Sequence, residues 1–371
     1  MSIQKKIGFL AAYSVPFFII LSYFLNGVYW AFLPAIYAYF FVPILDEIIG
    51  KDAQNVQKEE FEGLIKDKYF DFLVYSHVWI HFFILLFVAV QISSHNFSNI
   101  QILGFVLSQG IYASSIINVS HELGHRNHPL AITHARLALM SVCYHHFIVE
   151  HNRGHHVHVA TSNDPATSKK NQTVFEFWIQ TLIGSFKSAW NIEKRLLQKK
   201  EIKTWSVKNE VLQGVFGSLT IALFLFSIVS LYRNELSWIV LIHFFGQSIV
   251  AVLSLECVNY IEHYGIVRNE ISEGKFEKVN PLHSWNANHF YSNLLLFHLQ
   301  RHSDHHAYAS RPYQVLRHFD ESPQLPFGYP VMILMSLFPP LWFKVMNPKL
   351  EQWKSKAIDS EHIKHIVQQF A

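Results

Sequence analysis

Three histidines and an aspartate fall within five residues at His302-Ser303-Asp304-His305-His306, a density of imidazole and carboxylate suited to holding a metal ion. On a helix, His302 and His306 share a face at i,i+4 and His305 stands beside them at i+3, so three imidazoles can converge on one point. Three further clusters supply partners: His121-Glu122-Leu123-Gly124-His125, Glu150-His151-Asn152-Arg153-Gly154-His155-His156 and Asn259-Tyr260-Ile261-Glu262-His263. The nine histidines exceed what one ion takes, so two ions sharing them is the economical reading. The two cysteines, Cys143 and Cys257, are too far apart in sequence to suggest a disulfide framework or a thiolate knuckle, which leaves nitrogen and oxygen as ligands. Neutral imidazoles do not cancel the ions' charge. Glu122, Glu150, Asp164, Asn259, Glu262 and Asp304 are therefore expected around the rings as hydrogen-bond partners, the carboxylates also neutralising charge. Spacing alone does not choose among iron, zinc, copper and nickel.

The elements that must position these residues read as membrane helices. The 371 residues are 50% hydrophobic and 15% aromatic with only 15% charged, poorer in charge than an ordinary soluble domain. Apolar runs at about 7–25, 28–45, 72–92, 100–119, 211–232 and 236–260 each approach the ~20 residues that cross a bilayer, and they pair into three hairpins. No small-residue cleavage site follows the first run, and Asn26-Gly27 turns directly into the second, so the start is read as a span and not as a signal peptide. The stretches 130–149 and 173–190 are amphipathic pieces placed beneath the membrane, and 329–345, broken by Pro339-Pro340, is an interfacial or re-entrant piece. Of the 30 Lys and Arg only Arg233 falls in an outward connection, which puts both termini in the cytoplasm. The expectation is one all-α, polytopic membrane domain over 1–371, six spans with a cytoplasmic histidine-rich cap. The modest net charge of +3 and the lack of a basic-aromatic strand pattern argue against nucleic-acid binding.

This topology collects the chemistry. Span four ends just before His121, span six carries Asn259, Glu262 and His263 past the hydrocarbon, and the other clusters lie on the same side by charge. All nine histidines can meet at one depth. In this form, Asn259-Tyr260-Ile261-Glu262-His263-Tyr264-Gly265 followed by Leu299-Gln300-Arg301-His302-Ser303-Asp304-His305-His306, the clusters resemble the membrane-bound alkane monooxygenases, a branch of the desaturase and hydroxylase superfamily. The likeness extends to Asn163-Asp164-Pro165-Ala166, Arg311-Pro312-Tyr313-Gln314 and the stretch 325–348, with Arg126 standing where lysine is commoner.

The resemblance implies two non-haem irons as cofactors on His121, His125, His151, His155, His156, His263, His302, His305 and His306. It also implies oxygen-dependent hydroxylation of the terminal methyl of a linear alkane in the bacterial inner membrane. Electrons would come from rubredoxin and rubredoxin reductase, as separate proteins because the chain has no Cys-x-x-Cys pair. A primary C–H bond offers no handle for acid–base chemistry, so a redox metal and O2 suit the task and zinc does not. A fatty-acyl desaturase or xylene-type hydroxylase is the first alternative. A metal transporter is the second, although it would place ligands near mid-membrane. Chain-length range, division of the histidines between the irons, and oligomeric state stay open.

Three features lie outside the boxes. His77 and His81 share a face of span three, with an interfacial or pore-facing role favoured over metal transit, and Glu256 is either a site residue or a snorkelling one. Ala31, Ala35 and Ala38 follow i, i+4, i+7 on span two, as a helix-packing stripe or as the wall of a substrate corridor. The stretch 153–208 carries ten Lys or Arg against four acids, which suits anionic lipid and an acidic electron carrier, or topology alone.

Overall fold

The computed structural model describes residues 1–25 and 27–355; Asn26, in the expected first turn, and 356–371 lie outside them. Six helices are long and apolar enough to cross a membrane: α1 (Ile3–Phe24), α2 (Val28–Ile49), α3 (Lys68–Ser94), α4 (Asn99–Gly124), α8 (Glu210–Arg233) and α9 (Ile239–His263). Between them lie α5 (Pro129–Met140), α6 (His146–Glu150) and α7 (Val174–Lys199), and after them α10 (Phe290–Leu295), α11 (His302–Ala307), α12 (Tyr329–Ser336) and α13 (Pro339–Ser355). The sheet among the described residues is one small hairpin, Glu270–Ser272 with Lys275–Phe276. The protein is thus an all-α, polytopic membrane protein.

The long helices start where their sequences supply caps. The Asp67 carboxylate accepts from the Tyr69 N–H at the start of α3. Ser98 and Gln101 close a capping box on α4, as Thr173 and Glu176 do on α7. At 1.5 Å per residue the 25 residues of α9 run to about 37 Å, long enough to carry its last turn, with His263, beyond the ~30 Å of hydrocarbon. The chain then leaves the helix through Gly265, whose φ of +70° suits a residue without a Cβ.

Span two is not a regular helix. It runs as a 3-10 turn (Val28–Phe32), an α turn (Leu33–Ile36), a π turn (Tyr37–Phe41) and an α segment (Val42–Ile49). Pro34 and Pro43 lack the N–H that an α ladder needs, which accounts for the interruptions. The i, i+4, i+7 arithmetic of Ala31, Ala35 and Ala38 assumes 3.6 residues per turn and does not hold across such a segment. Ala31 is fully buried against α4, where a Cβ at Gly104 would lie 2.7 Å from its own Cβ. Ala38 instead lines a cavity.

The expected amphipathic piece 130–149 is also two helices. α5 ends at Met140, and the chain reverses through Cys143, whose φ is +56°, before α6 begins. That reversal brings the second histidine cluster back under the first.

Candidate metal centre

The nine histidines do meet, but in two groups. The ring nitrogens of His121, His125, His151, His156 and His305 lie within 4.8 Å of one another, as do those of His155, His263, His302 and His306. In the first, Nε2 of His121 approaches Nε2 of His305 at 2.8 Å, and Nε2 of His156 approaches those of His151 and His305 at 2.9 and 3.1 Å. In the second, Nε2 of His306 approaches those of His302 and His155 at 2.9 and 3.3 Å. The groups adjoin, with the rings of His156 and His306 4.7 Å apart between centroids.

Local helix geometry decides the division. His121 and His125 are one α turn apart, at the end of α4 and its C-cap, and fall in one group. His302 and His306 also pair across one turn of α11, while His305 diverges toward the other group, so the three do not converge on one point. Between α6 and His156 the backbone is a π turn, His151–His155, which places residues five apart on one face. His151 therefore joins His156, and His155 joins the second group. Gly154 permits this close turn: a Cβ there would lie 2.6 Å from the Glu150 carboxylate oxygen Oε1.

The donor set fits metal ions. Buried nitrogens converge where no protein donor or acceptor satisfies all of them; His125 Nε2 and both ring nitrogens of His263 have no partner. Burial, reinforced by neighbouring histidines, holds His151, His156, His302, His305 and His306 well below the ordinary imidazole range, and holds His125 at about 4. Neutral rings with free lone pairs are what a divalent ion requires. His155 is the exception. Burial pushes it down, but the charge and hydrogen bond of Asp164 outweigh burial and raise it.

Of the six residues expected around the rings, two touch them. Asp164 Oδ2 sits 2.9 Å from His155 Nδ1 and also accepts from the Thr167 hydroxyl at 2.6 Å. Glu262 Oε2 lies 3.1 Å from His302 Nε2, while its Oε1 accepts from the Tyr329 hydroxyl at 2.8 Å. Three of the other four have nearer partners. Glu122 accepts from Arg126 and from the Tyr313 N–H. Asp304 is the hub of an ion-paired cluster with Arg311 and Arg317. Asn259 donates to Glu256. Glu150 is buried behind the π turn, and burial together with the Asp164 charge pushes its pKa up to about 8.

Glu256 does not snorkel. It is 1% exposed and accepts from the Tyr144 and Thr181 hydroxyls at 2.6 and 2.8 Å. His77 and His81 are buried between helices, His77 beside the Tyr112 hydroxyl at 3.1 Å and His81 beside the Ser141 hydroxyl at 2.9 Å. Thr167, Tyr144 and Tyr329 carry no local sequence signal, since each matters only through a partner distant in the chain or across a loop.

A narrow cavity of about 70 Å3 lies in the bundle above this end, between α2, α4, α9 and α12. Its wall includes Ala38, Val42, Ile111, Leu255, Leu299 and Tyr329. Two of these connect it to the site, since Leu299 precedes His302 by three residues and Tyr329 holds Glu262.

Residues 97–335 match the fatty acid desaturase family. The chain is 40% identical over 367 residues to alkane 1-monooxygenase 2 of Alcanivorax borkumensis, covering 96% of this chain and 94% of that one. It is 42% identical over 310 residues to the alkane 1-monooxygenase of Acinetobacter baylyi, with coverages of 83% and 74%. A more distant relative is the xylene/toluene monooxygenase hydroxylase component of Pseudomonas putida, 30% identical over 259 residues, 69% of this chain and 67% of that one. Identity sustained over nearly the whole length, spanning the six helices and both histidine groups, means that the chain belongs to the alkane 1-monooxygenase family of integral-membrane enzymes.

Proposed function

We propose that this monooxygenase converts linear alkanes to 1-alkanols, with one atom of O2 entering the terminal methyl group and the other leaving as water. The nine histidines would hold two iron ions, five rings at one and four at the other. When bound, the irons supply the redox chemistry that a primary C–H bond demands. Rubredoxin and its reductase, as separate proteins, would deliver the electrons. The histidine end of the bundle would face the cytoplasm from the bacterial inner membrane, as the distribution of Lys and Arg favours.

The observation that carries this reading is the apolar cavity whose wall residue Tyr329 holds Glu262, the carboxylate 3.1 Å from His302 of the second histidine group. Its lining favours a hydrocarbon over a charged substrate, and the surrounding helices exclude water from the reacting end. Asp164 fixes the ring of His155 by accepting at Nδ1, which leaves Nε2 facing the group. Glu262, held by Tyr329, sets an acid at the boundary between cavity and site.

The test is to purify the protein, count iron per chain, and supply rubredoxin, its reductase, NADH, O2 and alkanes. Two irons per chain with 1-alkanol product is the expected outcome. Benzylic alcohols from xylene with no 1-alkanol would move the assignment to the aryl-methyl branch that the Pseudomonas putida relative represents.

A further inference from the structure

The outer surface of α7 is built in three strips. One buries Phe177, Thr181, Ser185, Ala189 and Ile192 against the bundle. A second, rotated from it, leaves Phe175, Ile179, Ile183 and Phe186 exposed, between 41 and 66%. The third is polar and carries Lys187, Asn191 and Lys194, all exposed. A helix docked on a soluble protein has no use for the second strip. One lying in a bilayer interface does, with apolar side chains in the acyl boundary and lysines at the headgroups.

Beside Phe186 a cavity of about 200 Å3 opens between α7, α8 and α9, walled by Val211, Val215, Leu219 and Phe245 with Cys143 and Ser218 also on its lining. Its α8 residues fall within the first ten of that helix, about 15 Å from its start at the lysine-rich side. For a helix entering the bilayer from that end, this stretch covers the step from headgroups to acyl chains. His145, 2% exposed, lines the same cavity with both ring nitrogens unpartnered.

We propose that this face is a seat for an anionic phospholipid, with an acyl chain in the cavity and the phosphate against Lys187 and Lys194. Charge selects the headgroup: the stretch 153–208 carries ten Lys or Arg against four acids. The seat reaches the metal centre through α7 itself. The Gln180 side chain donates to the carbonyls of Pro165 and Thr167 at 2.9 and 3.2 Å, holding the loop that presents Asp164 to His155. Thr181 holds Glu256. A lipid that fixes α7 in the interface therefore steadies that loop.

The test uses the full-length protein in nanodiscs and native mass spectrometry after extraction. Phosphatidylglycerol should be retained over phosphatidylcholine by at least about fivefold, the factor one lysine near an anionic surface supplies. The double variant Lys187→Gln/Lys194→Gln should lose that preference, and Leu219→Trp, which fills the cavity from a lipid-facing position, should lower retention of both lipids. The melting temperature of the purified protein should rise when phosphatidylglycerol replaces phosphatidylcholine, in the parent chain and not in the double variant. Equal retention of the two lipids, or a preference that survives both substitutions, overturns the proposal. These readouts need no turnover, so they stand or fall apart from the alkane assignment.

Discussion

At the residue scale the division into five and four histidines makes the two halves separable. His125→Ala and His263→Ala remove ligands from different groups, so each should lower bound iron from about two to about one per chain and abolish turnover. Metal analysis of the purified variants decides it; full occupancy in His263→Ala would remove that ring from the set. Protonation is the second lever. Burial depresses these imidazoles, His125 to about 4, below the ordinary 6.5. A depressed histidine stays neutral in the folded chain while the unfolded chain takes up protons, so its contribution is complete above about pH 6.5 and is lost as pH falls toward 4. Iron should persist at pH 6 and leave as pH approaches 4, followed by dialysis at stepped pH. Complete loss at pH 6 would show that burial does not protect the rings. His155, raised by Asp164, works in the opposite sense, its own contribution fading as pH rises through its folded value.

At the element scale the irregular second span sorts its alanines into different jobs. Ala38 lines the cavity, and Ala31 packs against Gly104 of α4, with the Ser108 hydroxyl donating to the Ala31 carbonyl at 2.7 Å. Ala38→Trp should therefore shift products toward shorter alkanols while iron content stays constant, measured by gas chromatography across a range of chain lengths. A product profile that keeps its shape while total activity falls would assign Ala38 to packing as well. Ala31→Trp should lower stability by about 1–3 kcal/mol or more, with every substrate affected alike, because a large ring cannot enter that contact.

At the scale of the whole molecule, the proposed orientation rests on where the charges lie. Asn96→Cys, in the exposed α3–α4 connection, should react with an impermeant maleimide on intact spheroplasts, and Lys203→Cys only after the membrane is opened. The native cysteines, one buried and one half-buried, give a low background. The reverse labelling pattern would place the metal centre on the outer face and exclude a cytoplasmic electron donor.

Membrane spans were legible from apolar run length because hydrocarbon thickness imposes it, and the four histidine clusters were legible because ligand chemistry restricts residue type. Neither depends on what the chain packs against. Which rings group together did not follow from spacing, since the π turn at His151–His155 exchanges an i+4 pairing for an i+5 one. The true partners of the acids were hidden for a similar reason. Glu122, Glu262 and Asp304 look alike beside their histidines, and only the fold brings Tyr313, Tyr329 or Arg317 within reach to decide whether a carboxylate faces a ring or an arginine. The sequence by itself determined the solvent, the helices and the ligand types, each set by local composition. Tertiary structure decided which way Glu122, Glu262 and Asp304 face, because partners from outside their own helices, Tyr313, Tyr329 and Arg317, reach them at contact distance.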